Sequence, residues 1–211
     1  MRKLTAIIMT MALVLTLTAC NGGDSSDPMP EPQPNPTPEP MEIGDVFLFG
    51  NYNWRVLEIQ GDTALIISEY VLEIRAYHAE DADEITWEHS NIRAYLNGEF
   101  YNSFSSADQS IIIETVVIND NNPYINTSGG NDTTDKIFLL SIDEVQTYFA
   151  NNPARIALNV NDEASLWLLR SPGFRSIDAA HVDSYGSVDV NGYSVEYAAG
   201  GVRPAMWISL E

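Results

Sequence analysis

Between Asp45 and Glu69 the chain alternates short apolar runs with glycine-centred breaks. Val46-Phe47-Leu48-Phe49, Trp54 to Ile59 and Ala64 to Ile67 are separated by Gly50-Asn51 and Gly61-Asp62. Runs of this length with turn residues between them predict three antiparallel strands. The period then lengthens. Thr86 stands ahead of Ile92, Tyr95 and Leu96, which share one face at helical spacing. Ser106 and Gln109 have capping-box spacing before Ile111-Ile112-Ile113, and Ser141 and Glu144 repeat it before Val145, Tyr148 and Phe149. A strand is predicted over Lys136 to Leu140, after a polar loop from Asn119 to Asp135.

The C-terminal third carries two turn signals. Asn191-Gly192 predicts a type I′ hairpin pairing Val190 with Tyr193. Ser184-Tyr185-Gly186 predicts a three-residue loop with Gly186 in the left-handed region, placing Val182 opposite Val188 and His181 opposite Asp189. Together they predict a three-stranded meander over 179–197, followed by a last strand from Val202 to Leu210. The fold class expected is α+β, with strands at both ends, two or three helices and a C-terminal antiparallel meander.

The meander places His181, Asp189 and Ser194 on neighbouring strands, but with aspartate between the other two. A serine triad needs histidine in the middle, so no serine hydrolase is expected. No G-x-S-x-G elbow is present either.

Ahead of this domain the pattern is of another kind. Arg2 and Lys3 precede an apolar stretch from Leu4 to Thr18, shorter than the roughly 20 residues of a membrane span. It ends Leu17-Thr18-Ala19-Cys20, which resembles the lipobox of bacterial lipoproteins. That resemblance implies cleavage after residue 19 and acylation of Cys20, with two or more acyl chains giving stable anchoring. Cys20 is the single cysteine of the chain, so disulfides cannot staple the fold. Proline then occupies every second position from Pro28 to Pro40. Such a tract is extended and semi-rigid, and at about 3.1 Å per residue it reaches roughly 40 Å. The organisation read here is a signal peptide at 1–19, a lipidated and proline-rich tether at 20–41, and one domain at 42–211.

Charge narrows the partners. The formal charge of −20 falls, with the loss of Arg2 and Lys3, to about −22. A surface that acidic repels nucleic acid, so none is expected as partner. The location expected is the cell envelope, on the outer face of the bacterial membrane.

Two arginines end apolar runs. Arg170 follows Leu166-Trp167-Leu168-Leu169 and precedes Ser171-Pro172-Gly173, which suits a type II turn; Arg203 sits in Gly201-Val202-Arg203-Pro204-Ala205-Met206-Trp207. A guanidinium there must be met by carboxylates or carbonyls, and Asp135, Asp178 and Asp183 are the candidates near turns. Both are assigned a structural role, and no catalytic residue is assigned.

WLLRSPGF and AAHVDSYGSVDVNGYSVEYAAGGVRPAMWISL resemble the C-terminal signature of an uncharacterised bacterial surface-lipoprotein domain family. GGNDTTDKIFLLSIDEV, YNWRVLEIQGDTALIISEYVL and TWEHSNIRAYLNGEFYNSFS look like its earlier blocks. The layout is also similar to the C-type-lectin-like and sulfatase-modifying-factor fold, which closes with a Gly-x-Arg strand after a meander. Enzymes of that fold use cysteines or a histidine cluster. This chain has no cysteine beyond Cys20, and His78, His89 and His181 lack ligand spacing. The resemblance therefore implies a binding domain without the catalytic equipment.

The loop NDNNPYINTSGGNDTTD supplies the remaining candidates. Asp120, Asn131, Asp132 and Asp135 are oxygen ligands of the kind calcium takes, although their spacing is not that of an EF-hand. The competing reading is a loop ordered by Asx turns. The function expected is a lipid-anchored, non-catalytic recognition or scaffold domain facing glycan or protein, with calcium as an open cofactor. The alternatives are a two-carboxylate hydrolase of polysaccharide or peptidoglycan, and a purely structural envelope lipoprotein.

Overall fold

The computed structural model describes residues 40–211; the lipobox, Cys20 and all but the last two residues of the tether lie outside them. The domain is α+β, with its strands in several antiparallel sheets. The three expected N-terminal strands form as β1 (Val46–Phe49), β2 (Tyr52–Gln60) and β3 (Thr63–Ser68). In β2 the alternation buries Trp54 and Val56 while Arg55 stays part-exposed, because only one face meets the core. A bulge at Leu57 then shifts the register. Strand β3 lies inside the sheet and buries five of its six residues. After it comes the two-residue β4 (Glu73–Ile74).

Four short α-helices follow, one more than expected. The first, α1 (Asn91–Tyr95), is capped by Ser90, whose hydroxyl accepts from Arg93 N. Thr86, the expected cap, instead precedes a 3₁₀ turn at Trp87–His89 and makes no capping bond. A π-type turn at Leu96–Phe100 continues α1 and buries both of its end residues. Helix α2 (Ser106–Ile111) is capped by Ser105, one residue before the expected position. It ends where Ile112–Ile113 pair with the C-terminal strand as β5. The isoleucine run thus divides between helix and sheet, because its β-branched residues suit a strand edge.

The expected strand over Lys136–Leu140 does not form. The ladder there is instead β6 (Thr115–Val117) with β7 (Thr133–Asp135). Ile137 to Leu140 are buried, yet only Phe138 bridges to Ala205. Arg170 N on the later strand donates to Leu140 O at 3.0 Å, and side chains meet the two other carbonyls: Asn97 donates to Ile137 O at 2.9 Å, and Arg170 Nη1 donates to Leu139 O at 2.8 Å. Buried backbone must be paired, and here side chains do what a neighbouring strand would. Helix α3 (Ile142–Tyr148) has the expected capping box, with both reciprocal bonds between Ser141 and Glu144 present. Next come α4 (Asn152–Arg155) and the short pair β8 (Ala157–Leu158) and β9 (Ala164–Ser165).

The meander is β10 (Trp167–Pro172), β11 (Asp178–Val182) and β12 (Val188–Ser194), paired in that order. The turn between β11 and β12 falls as expected: Gly186 has φ 80°, Val182 faces Val188 and His181 faces Asp189. The Asn191-Gly192 hairpin is a correction. Both residues lie inside β12, which continues until Ser194 faces Asp178. They form a bulge in which Asp189 accepts from Asn191 N and Gly192 N at 2.9 and 3.1 Å. The two-residue signal is read locally as a turn, but here an aspartate folds it into a strand. Ser171-Pro172-Gly173 is also not a type II turn. Ser171 and Pro172 extend β10, and Gly173 keeps a negative φ. Its lack of a side chain is needed instead for close packing, since a Cβ would meet Asn191 O at 2.3 Å.

The expected last strand splits at Arg203-Pro204 into β13 (Gly201–Val202) and β14 (Ala205–Ser209). β13 pairs with β4, and β14 inserts between β3 and β5. The C-terminal strand thereby completes the N-terminal sheet over a core that includes Trp54, Trp87 and Trp167. Among the described residues no helix is long and apolar enough to cross a membrane.

Candidate functional site

The polar loop forms one wall of a groove of about 720 Å³, running from Ile118 to Asp132 and reaching Asp143 at the start of α3. Asn122 fixes the loop to the meander. It is buried, and its amide donates to Pro172 O at 2.9 Å and Val190 O at 2.8 Å. Its own Oδ1 accepts from Tyr124 N at 3.0 Å, which is an Asx turn. Asn119 N donates to Asp132 Oδ1 at 2.9 Å, and Asn119 Nδ2 to Asn131 O at 2.8 Å, tying the two ends of the loop together. Thr127 Oγ1 donates to Phe174 O at 3.0 Å. These bonds tie the loop to itself and to the meander.

Tyr124 stands out of this frame. It is 62% exposed, and its hydroxyl accepts from Gln146 Nε2 at 2.9 Å. An aromatic ring held at both ends offers a flat apolar face with polar groups around it. The groove carries Asp120, Asp132, Asp143 and several asparagines, and among the described residues no lysine or arginine lines it. Such a surface accepts hydrogen bonds from hydroxyls and repels anions.

The four loop residues singled out as ligands are divided by the fold. Asp120 and Asp132 share the groove. Asn131 turns to a second hollow, where its amide donates to Glu88 Oε2 at 2.9 Å. Asp135 is buried and engaged by Arg93 Nε at 2.7 Å, Trp87 Nε1 at 2.8 Å and Thr133 Oγ1 at 2.7 Å. Among the described residues no three histidine, cysteine or acidic side chains converge as a metal site. Within the loop, backbone bonds from Asn122 N to Thr127 O and from Asn126 N to Asn122 O add to the side-chain bonds.

The arginines are both buried, but their partners differ from those expected. Arg170 is clasped by both Glu144 oxygens, and it donates to Leu139 O at 2.8 Å and Ile118 O at 3.1 Å. Asp135, Asp178 and Asp183 serve elsewhere: Asp178 holds Arg175, and Asp183 accepts from Tyr185 N and Ser187 N. The pairing with Glu144 was hidden because that residue reads in sequence as a helix cap, and it is one. Arg203 has no carboxylate partner among the described residues. Nε donates to Ser68 O at 2.9 Å, and the guanidinium lies 5.4 Å from the Phe149 ring and 4.9 Å from Trp167. Burial pushes its pKa down to about 10, with Glu69 opposing and Arg55 adding to the fall.

The histidines stay apart. His78 lies near Glu80, and His89 near Glu88. His181 is buried and stacked on Tyr193 at 4.4 Å. Ser194 faces Asp178 rather than Asp189, so the three triad-type residues are not assembled. Tyr124, Asp143 and Gln146 were not singled out in the sequence. The one signal for Tyr124 was a large aromatic inside an asparagine-rich loop, where no core periodicity requires it.

Residues 61–210 match the family described as a domain of unknown function (DUF6273). No curated protein and no solved structure matches the chain.

Proposed function

We propose that this chain, which belongs to the DUF6273 family, is a non-catalytic recognition domain that takes an uncharged glycan in the groove beside Tyr124. The observation that carries this reading is the exposed Tyr124 ring on a prefixed loop, beside acceptor groups with no cation among them. Sugar rings stack their C–H faces on aromatic side chains and donate hydroxyl hydrogens to carboxylates and amides. A loop already held by its own bonds loses little freedom on binding.

In this reading Cys20 carries the lipid, and the proline tether holds the domain away from the membrane. The accompanying fold reading is C-type-lectin-like. In its support, the W-L-L-R-S-P run forms β10, and the G-V-R-P-A-M-W run spans β13 and β14. The rival hydrolase reading draws on Asp120, Asp132 and Asp143, which border the same groove. An array of neutral and acidic oligosaccharides probed with the full chain tests the proposal. Retention on neutral glycans that is lost in Tyr124→Ala supports it. Release of new reducing ends from a bound glycan favours the hydrolase, and no retention on any glycan overturns glycan recognition.

A further inference from the structure

A further hollow, of about 480 Å³ and distinct from the one beside Glu88, lies apart from the polar loop, between β2, α3 and α4. Its walls are largely apolar, with Leu57, Phe149, Pro153 and Ile156 among them, and Arg203 borders it as well. The polar groups at its rim are matched to one another. Arg55 gives Nε and Nη2 to the two oxygens of Glu69, and Nη1 to Gly44 O at 3.1 Å. The Tyr148 hydroxyl donates to Glu58.

Arg203 is the exception. Only 2% of its surface is exposed, no carboxylate pairs with it among the described residues, and its Nη1 is buried with no hydrogen-bond partner. An arginine keeps its proton in such a place, as the pKa near 10 also indicates. A buried charge normally has an opposite charge to meet it. The chain as a whole is strongly acidic, at −20, yet this hollow holds one unmatched cation.

We propose that the hollow is a carboxylate-binding site, in which Arg203 takes the anion and the Phe149, Pro153 and Ile156 walls take an apolar body attached to it. The volume is in the range of small-molecule pockets, roughly 300–1,000 Å³, which are mostly apolar with a few placed polar groups. The Phe149 and Trp167 rings hold the guanidinium plane, so the bond to a carboxylate forms without ordering a long side chain. Phosphate suits the hollow less well, because a single cation among apolar walls leaves a second negative charge unmet. A free small acid and the C-terminus of a peptide present the same chemistry.

Calorimetry on the full chain separates these sources. One arm uses 3-phenylpropionate against 3-phenylpropionamide. The other uses N-acetyl-Ala-Phe with a free or an amidated terminus. Binding of one or both acids, with each amide at least about tenfold weaker, is the result expected. Binding of the small acid alone assigns the site to free acids, and binding of the peptide acid alone assigns it to chain ends. Arg203→Met keeps the packing between the rings and is expected to lose about tenfold or more in affinity. Because that variant alters the core, Ala154→Trp is the companion: Ala154 is an exposed wall residue, and an indole there fills the hollow. It is expected to abolish binding while melting with the wild type. Amides that bind as well as acids, an Ala154→Trp variant that binds normally, or no binding by either acid would each overturn the proposal.

Discussion

Glu144 holds two things at once: its Oε2 accepts from Ser141 N at 2.8 Å, closing the cap of α3, and both its oxygens meet the guanidinium of Arg170 on β10. One carboxylate thereby joins the start of a helix to the first strand of the meander. Arg170 also donates to Ile118 O, beside the groove. The loop, α3 and the meander are fixed to each other through this pair. Arg170→Ala is therefore expected to cost about 3–5 kcal/mol in urea unfolding, because the partner charge is left without its cation. A variant unfolding at the wild-type midpoint would remove the arginine from its structural role.

That pair also shows what the sequence carried and what it did not. Burial of Arg170 was legible, since it ends an apolar run, and the Ser141–Glu144 cap was legible from spacing. Their union was not, because residues 26 apart meet only through the packing of α3 on β10. Strands β1 to β3 and the Gly186 turn could be read because each rests on neighbours in the chain. Ile137 to Leu140 could not, since Asn97 and Arg170 replace the ladder from a distance. The groove was only half legible: Asp120 and Asp132 were named, while Tyr124 and Asp143 join them through tertiary placement.

Gly192 distinguishes the bulge from the hairpin that local sequence suggests. A Cβ on it would meet Ala179 O at 2.2 Å, and its φ is 72°. Gly192→Ala should cost about 2 kcal/mol or more by chemical denaturation. A loss no greater than about 1 kcal/mol is what an open turn would give, and would contradict the bulge.

Burial lowers the pKa of His181, with Asp189 and Asp183 opposing the fall. The folded state thus prefers the neutral ring, and between the folded and unfolded pKa values the unfolded chain binds the extra proton. Stability from this residue is full above the unfolded value of about 6.5 and declines as pH falls through the folded one. His181→Gln should unfold with a shallower loss of stability below about pH 6.5. Equal slopes for the two proteins would mean that His181 is not held neutral.

Calcium is expected to leave the melting curve unchanged. Asp135 is committed to Arg93, and Asn131 faces Glu88, so two of the four loop ligands are turned away. Melts in EDTA and in millimolar calcium should coincide. A rise of about 5–10 °C would correspond to a site filled at about 100 times its Kd and would contradict this.

The most direct measurement is the affinity of a neutral oligosaccharide for the full chain and for its Tyr124→Ala variant, with the melting temperature of each recorded alongside. Stacking on an exposed ring contributes about 1 kcal/mol or more, so the variant should bind roughly fivefold or more weakly while melting within a degree or so of the wild type. Equal affinity for the two proteins would contradict recognition at this groove.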